Sequence, residues 1–139
     1  MSFEEKRTWI YAAIAVAIPA VYLAHVLGQV PGTPVTEIAY AGPMFLAIGV
    51  AILTSIAADF LTALVSPKTA NKKDERDKQI ARLGLTVGFF VFSILVLVPF
   101  GLALAEIAHF WIANAIYLAF TLTAAIYSIV KIVAYRRGF

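Results

Sequence analysis

The sequence predicts an all-α protein, a four-helix transmembrane bundle with both termini in the cytoplasm, and three observations carry that reading. The first is composition: of 139 residues, 62% are hydrophobic and 14% charged, against about 45–50% and about 25% in an ordinary soluble domain. A chain this short cannot hide so much apolar surface in one aqueous core, because small domains leave much of their surface exposed. The second is a set of charge-free runs at 8–36, 38–58, 83–105 and 107–130. Each reaches the about 20 residues that carry a helix across about 30 Å of hydrocarbon. The third is charge placement. All 11 Lys and Arg lie before the first run, between the second and third, or at the end of the fourth.

The elements follow in order. Gly28-Gln29-Val30-Pro31-Gly32-Thr33-Pro34 ends a helix inside the first run, so the first helix is expected at 8–27. The second is expected at 37–65, closed by Ser66-Pro67, the third at 72–105 and the fourth at 109–135, making 1–139 a single integral membrane domain. Lipid forces backbone groups to be satisfied within each segment, which excludes isolated strands. Lys6-Arg7 before an apolar stretch has the look of a signal peptide, but the stretch is longer than an h-region and reads as a span. The positive-inside rule then puts both termini and the 66–82 loop in the cytoplasm of a plasma-membrane protein.

Packing in lipid relies on small residues. Candidate stripes are Ala13-xxx-Ala17 and Ala20-xxx-Ala24-xxx-Gly28 in the first helix, Ala47-xxx-Ala51 in the second, and the GxxxG of Gly84 and Gly88 in the third. The GxxxG fits a homodimer face and packing within one chain equally well. Pro19 and Pro99 each remove a backbone bond and are expected to kink their helices, whereas Pro43 sits in the first turns of its helix. Trp9, Tyr11, Tyr22, Tyr40, Phe110, Trp111 and Tyr135 fall near span ends, as interfacial anchors do.

The loop carries Lys72, Lys73, Asp74, Glu75, Arg76, Asp77 and Lys78. Asn71 followed by Asp74 has capping-box spacing, the acids suit a helix N-terminus, and Asp74–Lys78 is an i,i+4 pair. The third helix is therefore expected to start near Lys72 and project from the membrane. Such a cluster either fixes topology as a solvated, self-paired face or docks a protein partner or anionic lipid. Interleaved acids argue against nucleic acid.

Lys72-Lys73-Asp74-Glu75-Arg76-Asp77-Lys78-Gln79-Ile80 resembles the D-E-R-D-x-x-I loop of small, uncharacterised four-helix membrane proteins of bacteria. His109-Phe110-Trp111-Ile112-Ala113-Asn114 and the tail from Lys131 to Gly138 are similar to actinobacterial members of that group. The resemblance covers essentially the whole chain and implies the same topology. It implies no activity and no catalytic residue.

Asp59 is the acid well inside an apolar stretch, at a depth matched by Lys131 on the fourth helix. An intramembrane acid needs a partner, so an Asp59–Lys131 ion pair is expected. The alternatives are snorkelling and a coupling carboxylate lined by Thr54, Ser55 and Thr62. At the opposite end His25, Glu37, Glu106 and His109 are the ionisable residues; Glu106 and His109 have the i,i+3 spacing of bundle metal sites, and His25 is the further weak candidate beside interfacial hydrogen bonding. With no cysteine, disulfides and thiol chemistry are excluded. Nucleotide-binding, metalloprotease and serine-hydrolase motifs are missing, so no enzyme and no cofactor is expected. The expected function is a non-enzymatic membrane module whose basic loop contacts a partner or anionic lipid, with the bilayer and a homo-oligomer as further partners. A small oligomeric transporter or channel using Asp59 is the alternative.

Overall fold

A computed structural model describes residues 1–68 and 73–138. Helix α1 spans Phe3–Leu27, α2 Ala41–Val65, α3 Glu75–Leu95, α4 Leu97–Leu104 and α5 His109–Arg137. The α3–α4 stretch, Glu75–Leu104, counts as one span. All four spans are long and apolar enough to cross a membrane, with mean hydropathy between 1.9 and 2.6 in their most apolar windows.

Helix α1 starts at Phe3 rather than at residue 8, because the Ser2 hydroxyl accepts the Glu5 N–H at 3.1 Å and two acids in the first turn suit the helix dipole. That places Arg7 inside the helix. The helix continues through Pro19 without a break. Helix α2 starts at Ala41, not 37, since the preceding segment closes a turn in which the Glu37 N–H donates to the Pro34 carbonyl at 2.9 Å. Pro43 sits among the first N–H groups of α2, which lack intrahelical partners anyway.

The third span begins at Glu75 with Asp74 as its N-cap. Asp74 accepts the Asp77 N–H at 2.7 Å while Asp77 accepts the Asp74 N–H at 3.3 Å, a capping box built one turn later than expected. Asn71 and Lys72 lie outside the described residues. Pro99 breaks the span as expected: its ring meets the carbonyl four residues back, and α3 ends there, at Leu95, with a turn at Val96.

Helix α4 closes in a Schellman arrangement. The Ile107 N–H donates to Leu102 and the Glu106 N–H to Ala103, both at 3.1 Å, and Glu106 takes φ 53°. That position usually holds glycine, since a Cβ is strained there. Glu106→Gly is expected to stabilise the protein by about 1 kcal/mol, read as a higher melting temperature in detergent.

The helices pack in the order α2, α1, α5, α3, with α4 also on α5. Helix α5 carries more buried side chains than any other helix, whereas Ala47 is the buried residue of α2. Large apolar side chains such as Phe45 and Leu53 on α2 and Phe89 and Phe100 on the third span face outward. In water they would form patches far beyond those of a soluble monomer; against hydrocarbon they are a normal lipid face.

Of the small-residue stripes, the GxxxG seam packs within the chain. A Cβ on Gly84 would stand 2.9 Å from Tyr127 Cε2 and 3.0 Å from Lys131 Cγ, whereas one on Gly88 meets nothing closer than 3.7 Å. Gly84→Ala is therefore expected to destabilise by about 1–3 kcal/mol through overpacking. Gly88→Ala should be neutral or gain up to about 1 kcal/mol of helix propensity. Thermal unfolding of both variants reads the sign. The α1 stripes of Ala13, Ala17, Ala20, Ala24 and Gly28 are exposed and do not pack within the chain.

Three expected interfacial anchors are core residues instead. Tyr22 and Phe110 join Val26, Ile38, Ala47 and Tyr117 in a cluster under the 28–40 connection, and Tyr135 packs with Ile80 and Ala134 at the other end. Each ring is long enough to reach inward from a span end, and Tyr22 finds a partner there: its hydroxyl donates to Asn114 Oδ1 at 2.8 Å. Trp9 and Trp111 stay exposed.

Candidate functional site

The polar groups gather at the end where the N-terminus, the α2–α3 connection and the C-terminus meet. One face of α1 presents Arg7 and, one turn on, Tyr11. Both reach Asp59 on α2: Arg7 Nε donates to Oδ1 at 2.6 Å, Arg7 Nη2 to Oδ2 at 2.8 Å, and the Tyr11 hydroxyl to Oδ1 at 2.6 Å. A bidentate guanidinium–carboxylate pair is the strongest geometry available to these groups. Arg7 also donates to Glu4 at 3.3 Å, and Lys73 lies 3.9 Å from the other Glu4 oxygen.

The expected Asp59–Lys131 pair does not form. Helix α1 lies between α2 and α5, so Asp59 meets the base on α1, and Lys131 turns toward α3. The Lys131 stem lies beside Gly84, its ammonium is 5.2 Å from the Tyr127 ring centroid, and the residue is 8% exposed. A cation over an aromatic face gains part of what a carboxylate would supply. Helical rise fixes depth but not which neighbour a side chain faces, and that is where the pairing expectation failed.

The loop motif is a joint between α3 and α5. Asp74 caps α3, and the Tyr135 hydroxyl donates to Asp77 Oδ1 at 2.8 Å. Arg76 Nη2 donates to the Tyr135 carbonyl at 3.0 Å, satisfying an acceptor near the end of α5. Ile80 is fully buried against Ala134 and Tyr135. The expected Asp74–Lys78 pair is replaced by Lys78 and Glu75 at 2.7 Å on the surface. Glu4, Asp59, Asp74 and Asp77 are thus drawn into internal contacts, whereas Glu75 stays on the surface with Lys78, and Lys6, Lys68 and Arg82 face outward.

Between α2 and α5, floored by α1, runs an apolar groove of about 1010 Å³. It reaches from Met44 to Asp59, which is about 22 Å along a helix. Ser55, Thr121, Tyr127 and Ser128 join Tyr11 and Asp59 in its lining toward the basic end. At the far end His25, Glu37, Glu106 and His109 are all exposed, and no group of three metal-ligating side chains occurs among the described residues. The weak metal candidates His25, Glu106 and His109 are therefore not brought together with a further ligand. Asn114 escaped the sequence reading. Its signal was a lone amide in a charge-free run, with a Tyr on another helix able to reach it.

No family model, curated protein or solved structure matches the chain.

Proposed function

We propose that the protein is a non-enzymatic, multi-pass module of the plasma membrane whose basic cytoplasmic end binds anionic lipid headgroups. The observation that carries this reading is the charge arrangement at that end. Among the described residues it holds all ten Lys and Arg, while the opposite end holds the carboxylates Glu37 and Glu106. Of the six acids at this end Glu4, Asp59, Asp74 and Asp77 are engaged internally, and Glu5 and Glu75 are outnumbered by the surrounding bases, so the field that reaches the bilayer surface is positive. Each base near an anionic leaflet contributes about 1 kcal/mol of attraction. Transport through Asp59 would call for a carboxylate open to exchange, and both of its oxygens are taken by Arg7 and Tyr11, which supports a structural role.

The test uses protein reconstituted in mixed phosphatidylglycerol–phosphatidylcholine bilayers, with spin-labelled lipids reporting the first lipid shell. Wild type should enrich phosphatidylglycerol severalfold. The enrichment should fall at about 1 M salt, where the Debye length is about 3 Å, and in a variant carrying Lys6→Gln, Lys68→Gln, Lys78→Gln and Arg82→Gln. Equal occupancy by the two lipids in wild type would overturn the reading.

A further inference from the structure

We infer that the α1–α2–α5 groove binds one elongated, uncharged lipophile that offers an acceptor oxygen to Ser128 at one end and to Tyr117 at the other. The inference goes beyond the anionic-surface reading and does not draw on it, because the groove wall holds none of the bases. Three observations carry it.

The first is a pair of buried hydroxyls with nothing to bond. Ser128 is 2% exposed and Tyr117 7%, both line the groove, and neither hydroxyl has a hydrogen-bond partner among the described residues. Their neighbours close such bonds. Thr54, Thr62 and Ser93 each return the hydroxyl proton to the carbonyl four residues back. In the same wall Tyr11 donates to Asp59 and Thr121 to the Leu118 carbonyl, whereas Ser55 and Tyr127, the other hydroxyls there, are only half-buried. Tyr22 lies edge-on against Tyr117, with ring centroids 4.7 Å apart, and donates to Asn114. A donor removed from water and left unpaired is unfavourable, so an acceptor belongs opposite each of the two.

The second is their spacing. Ser128 and Tyr117 stand about three turns apart on the same face of α5, about 16 Å by helical rise. Around and between them the wall is apolar, built from side chains such as Ile14, Ile48, Ile52, Ile116 and Phe120. That pattern suits a molecule with an oxygen near each end and hydrocarbon between.

The third is charge. Among the described residues Asp59 is the one ionised side chain of the wall, and Arg7 and Tyr11 take both of its oxygens. An ionised ligand would leave water without meeting a free countercharge. Ser128 also lies about 13 Å by rise from Arg137 at the end of α5, too deep for a head held at the charged surface. An uncharged ester or ketone oxygen tolerates that depth. A transmembrane helix, from a second copy or from another protein, would arrive with its backbone acceptors already used within itself. The hydrocarbon of bulk lipid has no acceptor to give.

The test places the protein in phosphatidylcholine bilayers with three diazirine probes of equal chain length: a long-chain dimethyl diester, the corresponding dicarboxylate and the plain alkane. Only the diester should label groove residues such as Ile52 and Phe120 in preference to Leu53 and Phe89, which are comparably exposed outside the groove. Excess diester without the diazirine should compete that label away. Ser128→Ala and Tyr117→Phe should each lower groove labelling about threefold to tenfold, as one lost hydrogen bond implies. Neither should lower the melting temperature of the ligand-free protein, since each removes an unpaired donor. Ala124→Phe, at an exposed groove position between the two hydroxyls, should block the groove without disturbing the core. Groove labelling by the alkane equal to that by the diester, undiminished labelling in any of the three variants, or chain-to-chain crosslinks from the groove would each overturn the site. Labelling by the dicarboxylate that equals or exceeds that by the diester would overturn the choice of an uncharged ligand.

Discussion

Asp59→Asn is expected to destabilise the bundle by about 2 kcal/mol, somewhat less than the about 3–5 kcal/mol of breaking a fully buried pair. The discount reflects side chains that are 27% exposed in Arg7 and 36% in Asp59. The amide can still accept from Tyr11 but leaves the Arg7 charge without its bidentate partner in a region of low dielectric. Arg7→Met should cost at least as much, because it strips Asp59 and also weakens the hold on Glu4, which keeps Lys73 at 3.9 Å. The double variant Arg7→Met/Asp59→Leu should lose clearly less than the two single variants together. A coupling above about 1 kcal/mol is expected, since the two residues share direct bonds. Lys131 supplies the contrast: Asp59→Asn with Lys131→Met should be additive within about 0.5 kcal/mol. Reversible unfolding in detergent measures both cycles. Coupling to Lys131 but not to Arg7 would return the pairing to the one expected from depth alone.

Ile80→Ala is expected to cost about 2–4 kcal/mol, in the range of large-to-small changes at well-packed sites. Ile80 is fully buried against Ala134, Tyr135 and Leu83, on the turn of α3 that also carries Asp77. Its loss should loosen the joint that the loop motif builds, so the protein should become easier to cleave near residue 80 as well as less stable. Arg82→Gln, two residues on and exposed, should leave stability within about 0.5 kcal/mol. Limited proteolysis together with thermal unfolding distinguishes the two. Equal effects would mean that the motif acts through its charge and not through its packed isoleucine.

Much of the fold was legible because hydrocarbon thickness is a strict ruler. Charge-free runs marked four spans, and the Ser66-Pro67 stop and the Gly28–Pro34 cluster placed two of the breaks well. Ends set by local capping were harder to place. Ser2 extends α1 to include Arg7, and Asp74 caps α3 with a box partner, Asp77, that Tyr135 also holds. Both shifts moved a charged residue relative to its expected role.

The site was legible in part. Asp59 stood out because an acid is costly among apolar residues, and its depth matched Lys131, while Arg7 was expected to lie before the first helix. Rise along the axis cannot say that α1 separates α2 from α5, and that separation decides the partner. Tyr11, Tyr22 and Tyr135 were assigned to the interface by position. All three direct their hydroxyls to internal acceptors, which composition and spacing do not reveal.

The placement of the basic end on the cytoplasmic side underlies the proposed function, and labelling of single cysteines tests it most directly. The chain has no cysteine of its own, so Thr36→Cys and Lys68→Cys, both at exposed positions, can each report alone. On intact cells an impermeant maleimide should label Thr36→Cys and spare Lys68→Cys, which should react only after permeabilisation. Labelling of Lys68→Cys with Thr36→Cys protected would contradict the orientation, and labelling of both from one side would contradict the four membrane crossings.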